Sequence, residues 1–122
     1  MKIKEKKPPR AFNVGQGSKI TLNDCGELEL EANELITLVT KEGSRHDICR
    51  KDFGFYITMS LNRRVRKDGF RAALMRNRSN DYYIVLVEDG KEALFNAYLK
   101  EENQDIVSWL DNDVNLKKIS DH

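Results

Sequence analysis

Apolar positions recur with a period of two through the first half of the chain and with a period of three to four near its end. Lys19-Ile20-Thr21-Leu22 predicts a short strand after a turn at Gly15-Gln16-Gly17-Ser18. Asn23-Asp24 is turn-like, and Gly26 loosens the chain beside it. Glu27-Leu28-Glu29-Leu30-Glu31 alternates acid with leucine, the pattern of a half-buried strand with one acidic face. After a break at Ala32-Asn33, Glu34 to Thr40 is nearly apolar throughout and predicts a central strand. Lys41-Glu42-Gly43-Ser44 is a hairpin turn with Gly43 at a positive φ, and Arg45 to Arg50 is the returning partner. Phe53 to Thr58 predicts a further strand with Gly54 as a bulge or close-approach point; Phe53 and Phe55 would share a core face and Tyr56 the other.

Ser60 is placed to cap a short helix from Leu61 to Asp68, with Gly69 as its left-handed stop. Leu61 and Val65, one turn apart, would face the core, and Arg63, Arg64, Arg66 and Lys67 would spread over the outer side. Phe70 to Arg76 and Tyr82 to Val87 read as strands joined by the turn Asn77-Arg78-Ser79-Asn80. Tyr82 to Val87 is apolar on both faces, which predicts an interior position in the sheet. Asp89 with Glu92 forms a capping-box signature for a helix from about Gly90 to about Leu110. Leu94, Phe95, Tyr98, Leu99, Ile106, Trp109 and Leu110 would line one side of it, and Glu101, Glu102 and Asp105 mark where it would kink or split.

These elements predict an α+β fold: mainly antiparallel β-sheet, a short central basic helix, and a longer C-terminal helix packed on the sheet. Residues 1–10, with Pro8-Pro9, read as a flexible basic tail, residues 11–113 as a single α+β domain, and residues 114–122 as a loose C-terminal tail. A chain of 122 residues has room for one modest core. No apolar run reaches the ~20 residues that span a bilayer. The first ten residues lack the apolar segment of an export signal, so the cytoplasm is the expected location. Two cysteines, Cys25 and Cys49, are too few for a disulfide scaffold and read as half-buried thiols.

The net charge of +1 conceals segregation along the chain. Residues 1–10 carry +4, residues 20–44 carry −5, residues 45–78 carry +7 and residues 81–113 carry −7. Such blocks pair within the fold, pair between subunits, or face an anionic partner. The basic helix is the leading candidate for the last role. Arg63, Arg64, Arg66, Lys67 and Arg71 are assigned to anion contact, with Tyr56 to stack on a ring and Ser60 and Asn62 to add hydrogen bonds. Arg76 lies nearby in sequence.

Other chemistries fit less well. Lys51, Phe53, Gly54 and Phe55 match the inner-strand signature of the RNA-recognition motif, but Asp52, Tyr56 and Thr58 depart from it, and residues 18–44 show strands where that fold needs a helix. His46 and Cys49, three apart on a strand, point to opposite faces, and Asp24 and Cys25 would have to converge on them to hold a metal. His46-Asp47 as an acid–base pair and Cys49 as a nucleophile meet the same difficulty, and His122 is terminal. No phosphate-binding loop, dinucleotide turn or nucleophile elbow occurs, and no cofactor is expected.

The arrangement Lys51-Asp52-Phe53-Gly54-Phe55-Tyr56, Ser60-Leu61-Asn62, Gly69-Phe70-Arg71, Tyr83-Ile84, Val87-Glu88 and Trp109-Leu110-Asp111 resembles a group of small, uncharacterised bacterial proteins found among surface-polysaccharide and sugar-modification enzymes. The resemblance covers residues 8–112 and carries no catalytic residues. It implies a nucleotide-sugar, a phosphorylated glycan intermediate or a neighbouring enzyme as ligand. The expectation is therefore a non-enzymatic binding or accessory protein for an anionic partner. An RNA-binding module and a small sugar-modifying enzyme are the alternatives.

Overall fold

A computed structural model describes residues 1–121. Its elements are β1 (Lys2–Val14), β2 (Ile20–Glu29), β3 (Leu35–Val39), β4 (Arg45–Lys51), β5 (Gly54–Tyr56), α1 (Arg64–Lys67), β6 (Phe70–Arg76), β7 (Tyr82–Glu88), α2 (Glu92–Glu101), β8 (Asp105–Trp109) and α3 (Asp113–Ser120). The fold is α+β with mainly antiparallel sheets, a short middle helix and a C-terminal helix, as the sequence patterns predict. No helix among the described residues is long and apolar enough to cross a membrane. The chain divides into two compact units, residues 1–35 with 49–56, and residues 36–48 with 57 onward.

In the first unit, β1 and β2 form an antiparallel ribbon. Residues 1–10 are therefore not a tail. The lysines of β1 have no apolar anchor of their own, but the acidic strand supplies one electrostatically: Lys2 sits opposite Glu29 and Lys4 opposite Glu27. Pro8 and Pro9 fall where the register shifts between Glu5 and Arg10, so the ladder loses nothing to their missing N–H groups. Asn23-Asp24 does not turn; β2 runs through it as one strand. In the same unit Arg50 and Lys51 of β4 pair with Phe55 and Gly54 of β5. None of the unit's residues is buried.

The second unit holds the buried residues. β6 is the middle strand of a sheet ordered β7-β6-β8, and its Ala72 and Ala73 have no solvent exposure. α2 lays Phe95 and Leu99 against Ala73, Met75 and Val87, with Val85, Ile106 and Trp109 closing the cluster. The Phe95 and Trp109 rings meet edge to face at 6.0 Å.

Several expectations change here. The helix expected over residues 90–110 stops at Glu101, because Asn103 takes a left-handed conformation (φ 54°) that ends it. Ile106 and Trp109 then lie on β8, opposite Met75 and Ala73 of β6. The expected capping box does not form: Asp89 does not cap α2, its N–H donates to the Gly69 carbonyl, and Glu92, the first residue of the helix, accepts from the Gly90 N–H. Residues 113–120, expected loose, form α3: Asn112 caps it by accepting from the Asn115 N–H at 2.9 Å, with Asp113 in the first turn and Lys117 and Lys118 in the last. β7, expected inside the sheet, is an edge strand with Tyr82, Tyr83 and Ile84 exposed. β3, expected central, is likewise an outer strand, and Leu35, Leu38 and Val39 are exposed.

Candidate functional site

The basic helix, expected from Leu61 to Asp68, is the single turn α1 at Arg64–Lys67, because Arg63 before it has a non-helical backbone (φ −131°, ψ −76°). Ser60 Oγ accepts from the Arg64 N–H at 2.9 Å, Val65 is 2 % exposed, and Gly69 follows with φ 103°. Its cations divide into two groups. Arg64 is held by Asp68 at 3.0 Å, with Asp47 at 3.6 Å. Arg66 donates to Asp89 at 2.7 Å and to the Phe70 carbonyl at 3.0 Å. Arg71 donates to Asp111 at 2.8 Å and lies over the Trp109 ring at 3.8 Å. These three guanidinium groups serve the second unit's own carboxylates. Arg63 and Lys67 are exposed, and neither side chain has a partner among the described residues.

Tyr56 belongs to the first unit, and there the rings stand outside. Phe53 is 81 % exposed, Phe55 57 % and Tyr56 52 %, so Phe53 and Phe55 are not the core residues expected. The physical reason is that β5 is three residues long and no buried layer forms in this unit. Phe53 meets Tyr56 edge to face at 6.3 Å. Arg50 lies over the Phe55 ring at 5.5 Å, and the Lys51 ammonium lies 6.0 Å from the Tyr56 centroid. Arg50 donates to the Gly54 carbonyl at 3.0 Å and Lys51 to Asn33 Oδ1 at 2.8 Å. Both acceptors are neutral, so neither charge is cancelled by a carboxylate. Gly54 permits the turn with φ 148°, and a Cβ there would meet nothing within 4 Å, so it is not a close-approach point.

The ring-and-cation tip is thus built from Arg50, Lys51, Phe53, Phe55 and Tyr56. Sequence reasoning singled out the rings and Lys51 but assigned the phenylalanines to the core and left Arg50 out. Its signal was the hairpin register, which sets Arg50 opposite Phe55.

The remaining candidates are otherwise engaged. A His46 ring nitrogen, Nε2, lies 2.7 Å from the Ile57 carbonyl, and the ring edge faces Phe70. Asp47 accepts from Thr37 at 2.6 Å and pairs with Arg64. Cys49 is half-buried, while Cys25 is exposed rather than half-buried. No group of three or more metal-ligating side chains converges among the described residues. His122 lies outside the described residues. A cleft of about 460 Å³ in the second unit is lined by Arg78 and Lys100, but Asp105 stands in its wall and opposes an anion there. No family model, no curated protein and no solved structure matches this chain.

Proposed function

We propose that this protein is a non-enzymatic binding or accessory protein that recognises an anionic, ring-bearing ligand, a phosphorylated sugar or nucleotide-sugar, through the tip of the β4–β5 hairpin. One observation carries the reading: exposed rings stand beside two cations whose hydrogen-bond acceptors are neutral, Phe55 beside Arg50 on one face of the hairpin and Tyr56, with Phe53 against it, beside Lys51 on the other. Sugar and base rings stack on aromatic faces, and a guanidinium matches phosphate oxygens in a planar fork. A setting among surface-polysaccharide enzymes agrees with that chemistry. On the second unit, taken by itself, the assignment of anion contact to the helix narrows to Arg63 and Lys67.

The test is titration with a nucleoside diphosphate sugar, followed by the Phe53, Phe55 and Tyr56 ring resonances. Saturable shifts that vanish in Phe53→Ala and Arg50→Gln support the reading. Rings that do not move at millimolar ligand reject it.

The same rings and cations also suit single-stranded RNA, where stacking is worth roughly 1–3 kcal/mol per base. RNA affinity would fall steeply with salt, and a nucleotide-sugar would not compete for it at comparable concentration.

A further inference from the structure

The ribbon of β1 and β2 has two unlike faces. On one, Phe12 lies opposite Leu22 and Val14 opposite Ile20, and Arg10 lies opposite Asp24 one step further on. The Arg10 guanidinium sits 4.7 Å from the centre of the Phe12 ring, as residues two apart on one face do. The other face carries Asn13 opposite Thr21, joined by a 2.9 Å hydrogen bond, and Ala11 opposite Asn23. Phe12 and Leu22 are 37 % and 44 % exposed. Beyond the register shift another apolar pair, Ile3 and Leu28, is exposed as well. A two-stranded ribbon with no layer on its apolar face is marginal in water.

We infer that this apolar face packs against the same face of a second copy of the chain. Charge selects the arrangement. β1 is basic and β2 acidic, so the ribbon has one positive and one negative side. A closed dimer relates its copies by a twofold axis, which has three simple orientations here. An axis normal to the ribbon joins β1 to β1 or β2 to β2 at an edge, like charge to like. An axis across the strands stacks β1 over β1, again like on like. An axis along the strands stacks β1 over the partner's β2. Only this last sets Arg10 over the second copy's Asp24, Phe12 over its Leu22 and Val14 over its Ile20. Cross-pairing of unlike edges is also charge-matched, but it does not close and yields filaments.

The experiment measures the mass of the full chain in solution by light scattering across a wide concentration range. The wild type is expected to reach twice the monomer mass. Leu22→Asp, on the apolar face, is expected to remain monomeric, while Thr21→Lys, on the opposite face, keeps the dimer. A mixing test isolates the contact between copies. Arg10→Glu alone and Asp24→Lys alone each place like charges across the axis and are expected to be monomers. Mixed in equal amounts they present Glu to Lys and Arg to Asp, and the dimer mass is expected to return. Backbone spectra of each variant are recorded first, and recovery on mixing itself requires both to be folded. A wild type that stays monomeric, filaments in place of dimers, dimers equally weakened by Thr21→Lys, or folded single variants that do not recover on mixing would each overturn the inference.

Discussion

The two units spend similar apolar residues to different effect. In the second, β6 is flanked by β7 and β8 and covered by α2, and Ala72, Ala73, Met75, Val87, Phe95 and Leu99 are buried. In the first, Ile3, Phe12, Leu22 and Leu28 lie on the two-stranded ribbon, Phe55 and Tyr56 on the edge strand β5 and Phe53 in the turn before it, and all are exposed. Alternation alone therefore does not bury a strand; a second layer does. The unit with that layer has a buried core, and the unit without it displays apolar and aromatic surface.

The largest expected effect separates the units directly. Phe95→Ala removes a ring from between α2 and the sheet and is expected to lower the unfolding free energy by about 3–5 kcal/mol. Leu22→Ala, in dilute protein, is expected to change it by about 0.5 kcal/mol or less. Denaturant unfolding of both variants checks this. A large loss at Leu22 in dilute protein would mean that the ribbon already has a covering layer within one chain.

Next is the polar rim of the second unit. Asp111 is 3 % exposed at its side chain, and Arg71 is its ion-pair partner. Arg71→Gln leaves a buried carboxylate without that partner and the Trp109 face without its cation. The expected loss is about 2–3 kcal/mol, reduced from the fully buried case because Arg71 itself is partly solvated. Arg63→Gln, with no partner to abandon, is expected to leave unfolding unchanged. Equal losses in the two variants would erase the distinction between engaged and open cations.

A smaller effect sits at the end of α1. Gly69 has φ 103°, and a Cβ there would lie 2.6 Å from Ser44 Oγ, which itself donates to Glu88 at 2.8 Å. Gly69→Ala is expected to cost about 1–2 kcal/mol from the backbone alone. Thermal unfolding checks it, and an unchanged midpoint would show that the turn relaxes freely.

How much of this was readable from sequence depends on whether the signal was local. Gly69, the Asn77–Asn80 turn and the strand pair around it carry their own stereochemistry, and they fold as predicted. β1 was hidden because a lysine-rich strand has no apolar period; only its pairing with Glu27 and Glu29 makes it a strand. β8 was hidden because Ile106 and Trp109 are three apart, a spacing that suits a helix face, and the stop at Asn103 is a single residue. Tyr82-Tyr83-Ile84 looked interior because composition records hydrophobicity and not which neighbours arrive. The candidate site shows the same limit. The rings and bases were visible in the sequence, but which bases already hold a carboxylate is a property of distant residues, Asp89 and Asp111 among them.

The smallest expected effect concerns acid, and it acts on the ribbon. The Lys6 ammonium holds the Asp24 carboxyl below the ordinary aspartate range, with the Gly26 N–H adding to it. The Glu31 N–H does the same for Glu34 in the same unit. A carboxyl depressed in the folded state takes up its proton first in the unfolded chain. Its contribution is therefore complete above the ordinary carboxylate range, near pH 4, and is lost as pH falls through the lower folded value. The side-chain carboxyl resonance of Asp24 should titrate below that of an unstructured aspartate, and the Thr21 and Asn13 signals should lose dispersion over the same range. Asp24→Asn removes that part of the acid response. An Asp24 resonance titrating at the ordinary value would remove Lys6 as its partner, and with it the electrostatic reason for the basic strand to lie beside the acidic one.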